Sequence, residues 1–138
     1  MSSIVLPFKA PAASNYALDV GKVVSLTAVA SGEARCTLLT GTDDGTLGNL
    51  PLGVIVGADN ENGGTVSVCV FGVCKMIAGE GPITPGTDTL IMAGAGSLGF
   101  KATDGNFTIG RLLHKQVVAI NELFDIFVNP GIGSLETT

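Results

Sequence analysis

Two closely spaced cysteines are the first residues of this chain that could do chemistry. The stretch SVCVFGVCKM, residues 67–76, places Cys69 and Cys74 on either side of a Phe-Gly pair. Phe71-Gly72 is typical of a tight turn, which predicts a β-hairpin with the two thiols facing each other. Directly opposed cross-strand cysteines can bond only with strained geometry, and the total of three cysteines is odd. We therefore expect free thiols in a reducing cytoplasm.

Other residues could form catalytic or metal sites, but each has a simpler interpretation. No G-x-S-x-G motif accompanies the only histidine, and GAGSLG, residues 94–99, predicts a hairpin turn because no helix is expected to follow it. The loop carboxylates are ordinary turn residues, although clustered oxygens can bind calcium: Asp43, Asp44, Asp59 and Glu61. A zinc site could use Cys36, Cys69, Cys74 and His114. The spacing of Cys69 and Cys74 is slightly long for a zinc knuckle, however, and the other two ligands lie far apart in sequence. We predict a protein that is not an enzyme and that has no cofactor and no metal.

The composition restricts the classes of partner. The 138 residues carry a net charge of −5, with no cluster of basic residues, so we expect no nucleic-acid binding. No apolar run is long enough to cross a membrane, so we expect no membrane partner. Charged residues make up only 14% of the chain and hydrophobic residues 46%. So few charges predict a surface partly covered by other proteins, including further copies of this chain.

Glycine-rich turns between short apolar runs indicate an all-β fold. The 20 glycines separate runs rich in valine, isoleucine and threonine, a pattern typical of short strands. Residues 1–18 contain Pro7 and Pro11, which favour an extended N-terminal arm. Apolar residues on a free tail would gain nothing from burial, so we predict that those of this arm contact a neighbouring subunit: Ile4, Val5, Leu6 and Phe8.

The chain also contains two similar halves. Gly21 and Gly86 each begin the same order of strand, turn, strand, apolar-Gly segment and strand. Leu113, Val117 and Ile120 have helical spacing, but the repeat predicts that residues 109–129 form a hairpin with its turn near 121–122. The predicted core contains Val23, Leu26, Val54, Val66, Val68, Val70, Leu90, Ile109, Ile126 and Val128. A small antiparallel β-barrel or sandwich with few exposed edges would bury these residues.

Several segments resemble the small capsid decoration, or cement, proteins of tailed bacteriophages. They are GKVVSLTAV, PLGVIVGADNENGGTVSVCVFGVCKM, ITPGTDTLIM, FTIGRLL and DIFVNPG, and the resemblance covers roughly residues 19–131. It implies a β-barrel domain at 19–131, after the arm at 1–18 and before a C-terminal tail at 132–138. It also implies a homo-oligomer, dimeric or trimeric, that is made in the host cytoplasm and lies on the outer capsid surface. There it would bridge neighbouring major capsid protein subunits and stabilise the shell, with exposed residues in 42–50 as further contacts.

Two alternative functions remain open from the sequence. Lys75-Met76 resembles the Lys-Met of biotin-carrier barrels, although Lys75 is predicted in a return strand rather than at a turn tip. A virion host-recognition protein is the second alternative. Tyr16 is the only tyrosine and the chain has no tryptophan, so few aromatic rings are present to stack on sugars.

Overall fold

The fold is all-β in a computed structural model that describes residues 3–28, 34–39, 51–102 and 107–130. The predicted fold class, an all-β small barrel or sandwich, is confirmed. The strand pairing is not antiparallel throughout, because residues 4–9 pair in parallel with residues 34–38. The described part of the chain contains no helix that is long and apolar enough to cross a membrane.

Nine strands and one 3₁₀ turn make up the regular structure of the described residues. The first five strands are β1 Ile4–Lys9, β2 Val23–Ala28, β3 Ala34–Leu38, β4 Gly53–Ala58 and β5 Thr65–Ile77. The remaining strands are β6 Leu90–Ala93, β7 Gly99–Lys101, β8 Gly110–Leu112 and β9 Leu123–Val128, with the 3₁₀ turn at Ala95–Ser97. The turn joins β6 to β7, which confirms the hairpin turn predicted at 94–99.

The first four strands and the beginning of β5 form a closed five-stranded barrel, the N-terminal barrel. The strand order is β1-β3-β2-β4-β5, and β1 closes the barrel because it pairs with both β3 and β5. The arm therefore contributes a strand whose backbone pairs within its own chain, from Ile4 opposite Phe71 to Lys9 opposite Thr65.

The end of β5 and the last four strands form a second unit, the C-terminal sheet. Residues 72–77 of β5 pair with β9, and the order continues through β8 and β6 to β7. A bridge between Ala78 and Gly99 brings the two edges of this sheet together. One long strand, β5, is thus shared by both units.

Matching hydrogen bonds confirm the internal repeat. Leu39 N donates to Val23 O at 3.0 Å in the first half, and Ala102 N donates to Leu90 O at 3.0 Å in the second. In both halves one strand lies between two antiparallel neighbours, β2 between β3 and β4, and β6 between β7 and β8. The closing strands also correspond. β1 pairs with the start of β5 in the first half, and the end of β5 pairs with β9 in the second.

The prediction of a hairpin at Phe71-Gly72 is wrong, because β5 continues through these residues as one strand. Gly72 has φ +112°, but the strand does not fold back there. It exchanges partners instead: residues before Gly72 pair with β1 and β4, and those after it pair with β9. Cys69 and Cys74 therefore lie five residues apart along one strand, and not opposite each other on two.

The second predicted hairpin is confirmed. Strands β8 and β9 are antiparallel, with Gly110 opposite Val128, and they are joined through residues 113–122. The chain turns at Asn121, which has φ +68°, next to the predicted turn at 121–122. The apolar residues with helical spacing, Leu113, Val117 and Ile120, do not form the buried face of a helix, because their side chains are exposed.

Buried residues divide into two clusters, one centred on each unit. Most of the predicted core is buried, and Val70 and Leu90 are partly buried. Leu26 was predicted incorrectly, since it is 46% exposed. β4 pairs with β2 only through Val23 and Val24, so β2 extends past its neighbour and leaves Leu26 uncovered.

Side chains seal the seam where each unit closes. β1 and β3 share one register pair, and the Tyr16 hydroxyl accepts a bond from Leu38 N at 3.2 Å on the open part of β3. Arg35 donates to Ala10 O across the same seam at 2.7 Å. In the C-terminal sheet the carboxylate of Glu80 accepts a hydrogen bond at 2.7 Å from the backbone N of Lys101 in β7. These bonds satisfy backbone groups that an incomplete ladder leaves unpaired.

Candidate binding surface

The junction between the two units, at the middle of β5, is the waist of the molecule. Ser3 lies directly over Gly72, so that a Cβ at this glycine would be 2.7 Å from Ser3 Cα. The hydroxyl of Ser3 donates to Val73 O at 2.8 Å. Glycine is required here because φ is positive and another backbone passes close by. The start of β1 is thereby fastened to the waist.

Cys69 and Cys74 lie in contact at the waist and behave as small apolar groups. Cys69 is fully buried, and its Sγ is 3.6 Å from Phe71 O. Burial, and then the neighbouring Cys69, raise the pKa of the Cys74 thiol well above its usual range. Burial also raises the pKa of Cys36, which lies in the core of the N-terminal barrel. Thiols held protonated are weak nucleophiles and poor metal ligands at neutral pH.

A groove of about 390 Å³ opens at the waist and is lined mainly by apolar residues. Its walls come from β1, β4, β5 and the loop before β2. The described residues that line it are Ser3, Val5, Val20, Ile55, Val56, Cys69, Val73, Cys74 and Lys75. Concave apolar surface with few polar groups is typical of sites that bind apolar partners.

The charged groups beside the groove are paired within the chain. Lys75 Nζ lies 2.7 Å from Asp125 Oδ1, and this hydrogen bond holds the pKa of Asp125 below its usual range. In the loop before β2, Lys22 Nζ lies 2.7 Å from Asp19 Oδ1. The backbone N of Asp125 also donates to His114 Nδ1 at 3.3 Å.

The four predicted interface residues divide between surface and core. Ile4, Val5 and Leu6 are 51%, 45% and 43% exposed, and Val5 lines the groove. Phe8 is partly buried and packs against the core of the N-terminal barrel, so it contributes to the fold of its own chain. The loop contacts predicted at 42–50 lie outside the described residues.

The fold adds residues to this surface that were not predicted from the sequence. Val20, Val56 and Val73 come from three separate segments and meet only at the waist. One signal was available: β4 reads GVIVGA, with no polar side chain on either face. A strand of this kind indicates that both of its faces are meant to be covered.

The predicted chemical sites are dispersed. Lys75 lies within β5 and is paired with Asp125, so it is not presented at a turn tip as in the biotin-carrier resemblance. Cys36 lies in a different core cluster from Cys69. Among the described residues, no three His, Cys, Asp or Glu side chains are grouped to hold a metal ion. Asp59 and Glu61 lie in the tight turn between β4 and β5, and Asp43 and Asp44 are outside the described residues.

Together these features define a β-sheet protein of two similar units that share one strand and carry an apolar groove at their junction. Among solved structures, the fold is similar to that of the N-terminal base of the head fibre protein gp8.5 of bacteriophage phi29. The TM-score is 0.66 at 13% identity, and the match covers 97% of this chain and 100% of that one. No protein-family model and no curated protein sequence matches the chain.

Proposed function

We propose that the chain is a structural protein of a phage virion that attaches to the outer surface of the head. The observation that carries the proposal is the fold shared with the base of a phage head fibre over the whole of both chains. The resemblance of several strands to capsid decoration proteins points to the same class of virion proteins. The role is mechanical rather than catalytic, and the protein is made in the host cytoplasm.

The proposed partner is the major capsid protein, and the protein bridges its neighbouring subunits. A ligand that binds only the assembled lattice stabilises it by about 2.7 kcal/mol per site when present at 100 times its Kd. A homo-oligomer, dimeric or trimeric, adds to this by holding its second site at high effective concentration.

The exposed apolar side chains of β1 support a capsid-facing role for the arm. Ile4 and Leu6 are about half exposed although their backbone is fixed by pairing with β5. A strand held rigidly with its apolar side chains in solvent loses little conformational entropy on binding. It therefore fits a contact that must form repeatedly over a regular lattice.

Co-sedimentation with capsids that lack the protein tests this proposal. We expect saturable binding of the full chain, and weaker binding by a double variant, Ile4→Thr with Leu6→Thr. Both substitutions keep residues that suit a strand, so β1 is expected to stay paired. Leu113→Thr, at another exposed apolar position, is the matched control. Absence of binding by the wild-type chain would refute the proposal, and equal binding by all variants would refute the role of β1.

A second candidate follows from the structural neighbour, which is the base of a fibre. The same fold would then anchor a projecting part that contacts the host, the virion host-recognition alternative. Binding of the purified chain to host cells, in competition with intact virions, would support this candidate. Binding to capsids alone would exclude it.

A further inference from the structure

One leucine next to the waist groove projects into solvent without cover. Leu18 is 95% exposed, more than any other large apolar side chain of the described residues. Its loop is held by backbone hydrogen bonds, from Asp19 N to Tyr16 O at 2.9 Å and from Gly21 N to Ile55 O at 2.8 Å. A leucine on so well fixed a turn is already organised for binding.

The loop that carries the projecting leucine also contributes to the groove. Val20, two residues after Leu18, forms part of the groove wall. The groove volume of about 390 Å³ is ample for a leucine side chain, since an apolar cavity of about 150 Å³ holds benzene. Each copy of the chain therefore carries both an apolar projection and, beside it, an apolar recess.

The charges around this surface favour a second copy of the chain as the occupant. The net charge is −5, so two copies repel each other wherever unpaired carboxylates meet. The carboxylates of Asp19 and Asp125, which border the surface, are both neutralised by lysines of the same chain. Like-charge repulsion from these two carboxylates is thus reduced at this face. A strongly charged partner is less suited to this face, because Lys22 and Lys75 already pair with Asp19 and Asp125.

We propose that Leu18 of one copy inserts into the waist groove of another, which makes this face the interface of the homo-oligomer. A surface that carries both halves of the contact can close reciprocally as a two-fold dimer, or head to tail as a ring. The inference rests on the proposed function only for the expectation of a homo-oligomer, and it can be tested without capsids.

Sedimentation equilibrium of the full-length chain is the test. We expect concentration-dependent association of the wild-type chain, and a Kd at least tenfold weaker for Leu18→Asp, because a buried leucine is replaced by a charge. The matched control is Ile120→Asp, which adds the same charge at a position that is 57% exposed and outside the groove, and it is expected to associate like the wild type. Circular dichroism verifies the fold of each variant.

Complementary charges identify the contact directly. Leu18→Lys and Val56→Glu are each expected to weaken association, and an equimolar mixture of the two variants is expected to restore it. Restoration requires residue 18 of one copy to meet the groove wall of another.

Several outcomes would overturn the inference. They are a wild-type chain that stays monomeric up to about 1 mM, equal association by Leu18→Asp, equal loss of association in Ile120→Asp, or no recovery in the mixture. If Leu18→Asp associates normally but no longer binds capsids, the groove belongs to the capsid contact. The inference would then fail while the proposed function stands.

Discussion

Replacing Gly53 or Gly110 by alanine would place a methyl group against the backbone of the adjacent strand. A Cβ at Gly53 would overlap the carbonyl oxygen of Cys69 and lie 2.9 Å from its carbonyl carbon. At Gly110 a Cβ would overlap the carbonyl oxygen of Phe127 in the same way. The two glycines hold equivalent positions in the two halves, opposite Val24 in β2 and opposite Ile91 in β6.

The cost of each substitution follows from what must move. Neither neighbour is a flexible side-chain end, so the paired strands themselves have to separate. Forcing extra volume into a packed interior costs about 1–3 kcal/mol. Gly53 stands at the start of the β4–β5 ladder and Gly110 at the start of the β8–β9 ladder, so separation there also removes one or two hydrogen bonds worth about 1 kcal/mol each. We expect each variant to lose about 2–5 kcal/mol of unfolding free energy.

Urea denaturation followed by far-ultraviolet circular dichroism measures this loss through the shift in midpoint at constant slope. Gly57→Ala in β4 is the matched control, because no atom lies within 4 Å of a Cβ built at that residue. We expect its effect to stay within about 0.5 kcal/mol of zero. If Gly53→Ala is as stable as Gly57→Ala, or if all three variants lose the same stability, the repeat geometry described above is incorrect.

Three further perturbations test separate parts of the structure. Tyr16→Phe removes the acceptor of Leu38 N at the barrel seam, and it should lower the unfolding free energy by about 1–2 kcal/mol, measured in urea. Above the ordinary thiol pKa of 9.0 the unfolded chain releases protons that Cys74 retains in the fold, so stability should fall as pH rises above about 9. Urea titrations across this pH range should show a shallower fall for Cys74→Ala than for the wild type, and an equal slope would contradict the raised pKa. Lys75→Ala should change stability by less than about 1 kcal/mol, because its ion pair with Asp125 is exposed, and a larger loss in urea would mean that the pair is structural.

The sequence predicted the β-class and the repeat because both leave local traces. Glycine-led turns and apolar runs recur in the same order in each half, and the hydrogen bonds of β2 and β6 reproduce that order. The same repeat correctly overruled the helical spacing of residues 113–120. Local pattern was sufficient wherever neighbouring strands are also neighbours in sequence.

Local pattern failed at Gly72, where the decisive contacts are distant in sequence. A glycine between apolar runs fits a hairpin equally well, and the strand continues only because Ser3 lies over Gly72 on one side and β9 extends the pairing on the other. The waist groove was missed for the same reason. Its walls join Val5, Val20 and Val56 to the middle of β5, and no single segment shows that combination.

The central claim, a structural role on the outside of a phage head, is tested most directly by cryo-electron microscopy. Capsids lacking the protein are compared with the same capsids after incubation with the full-length chain. The account predicts extra density on the outer surface, at regular lattice positions, into which the two-unit fold fits with β1 facing the shell. A difference map with no density outside the shell at saturating protein would contradict it.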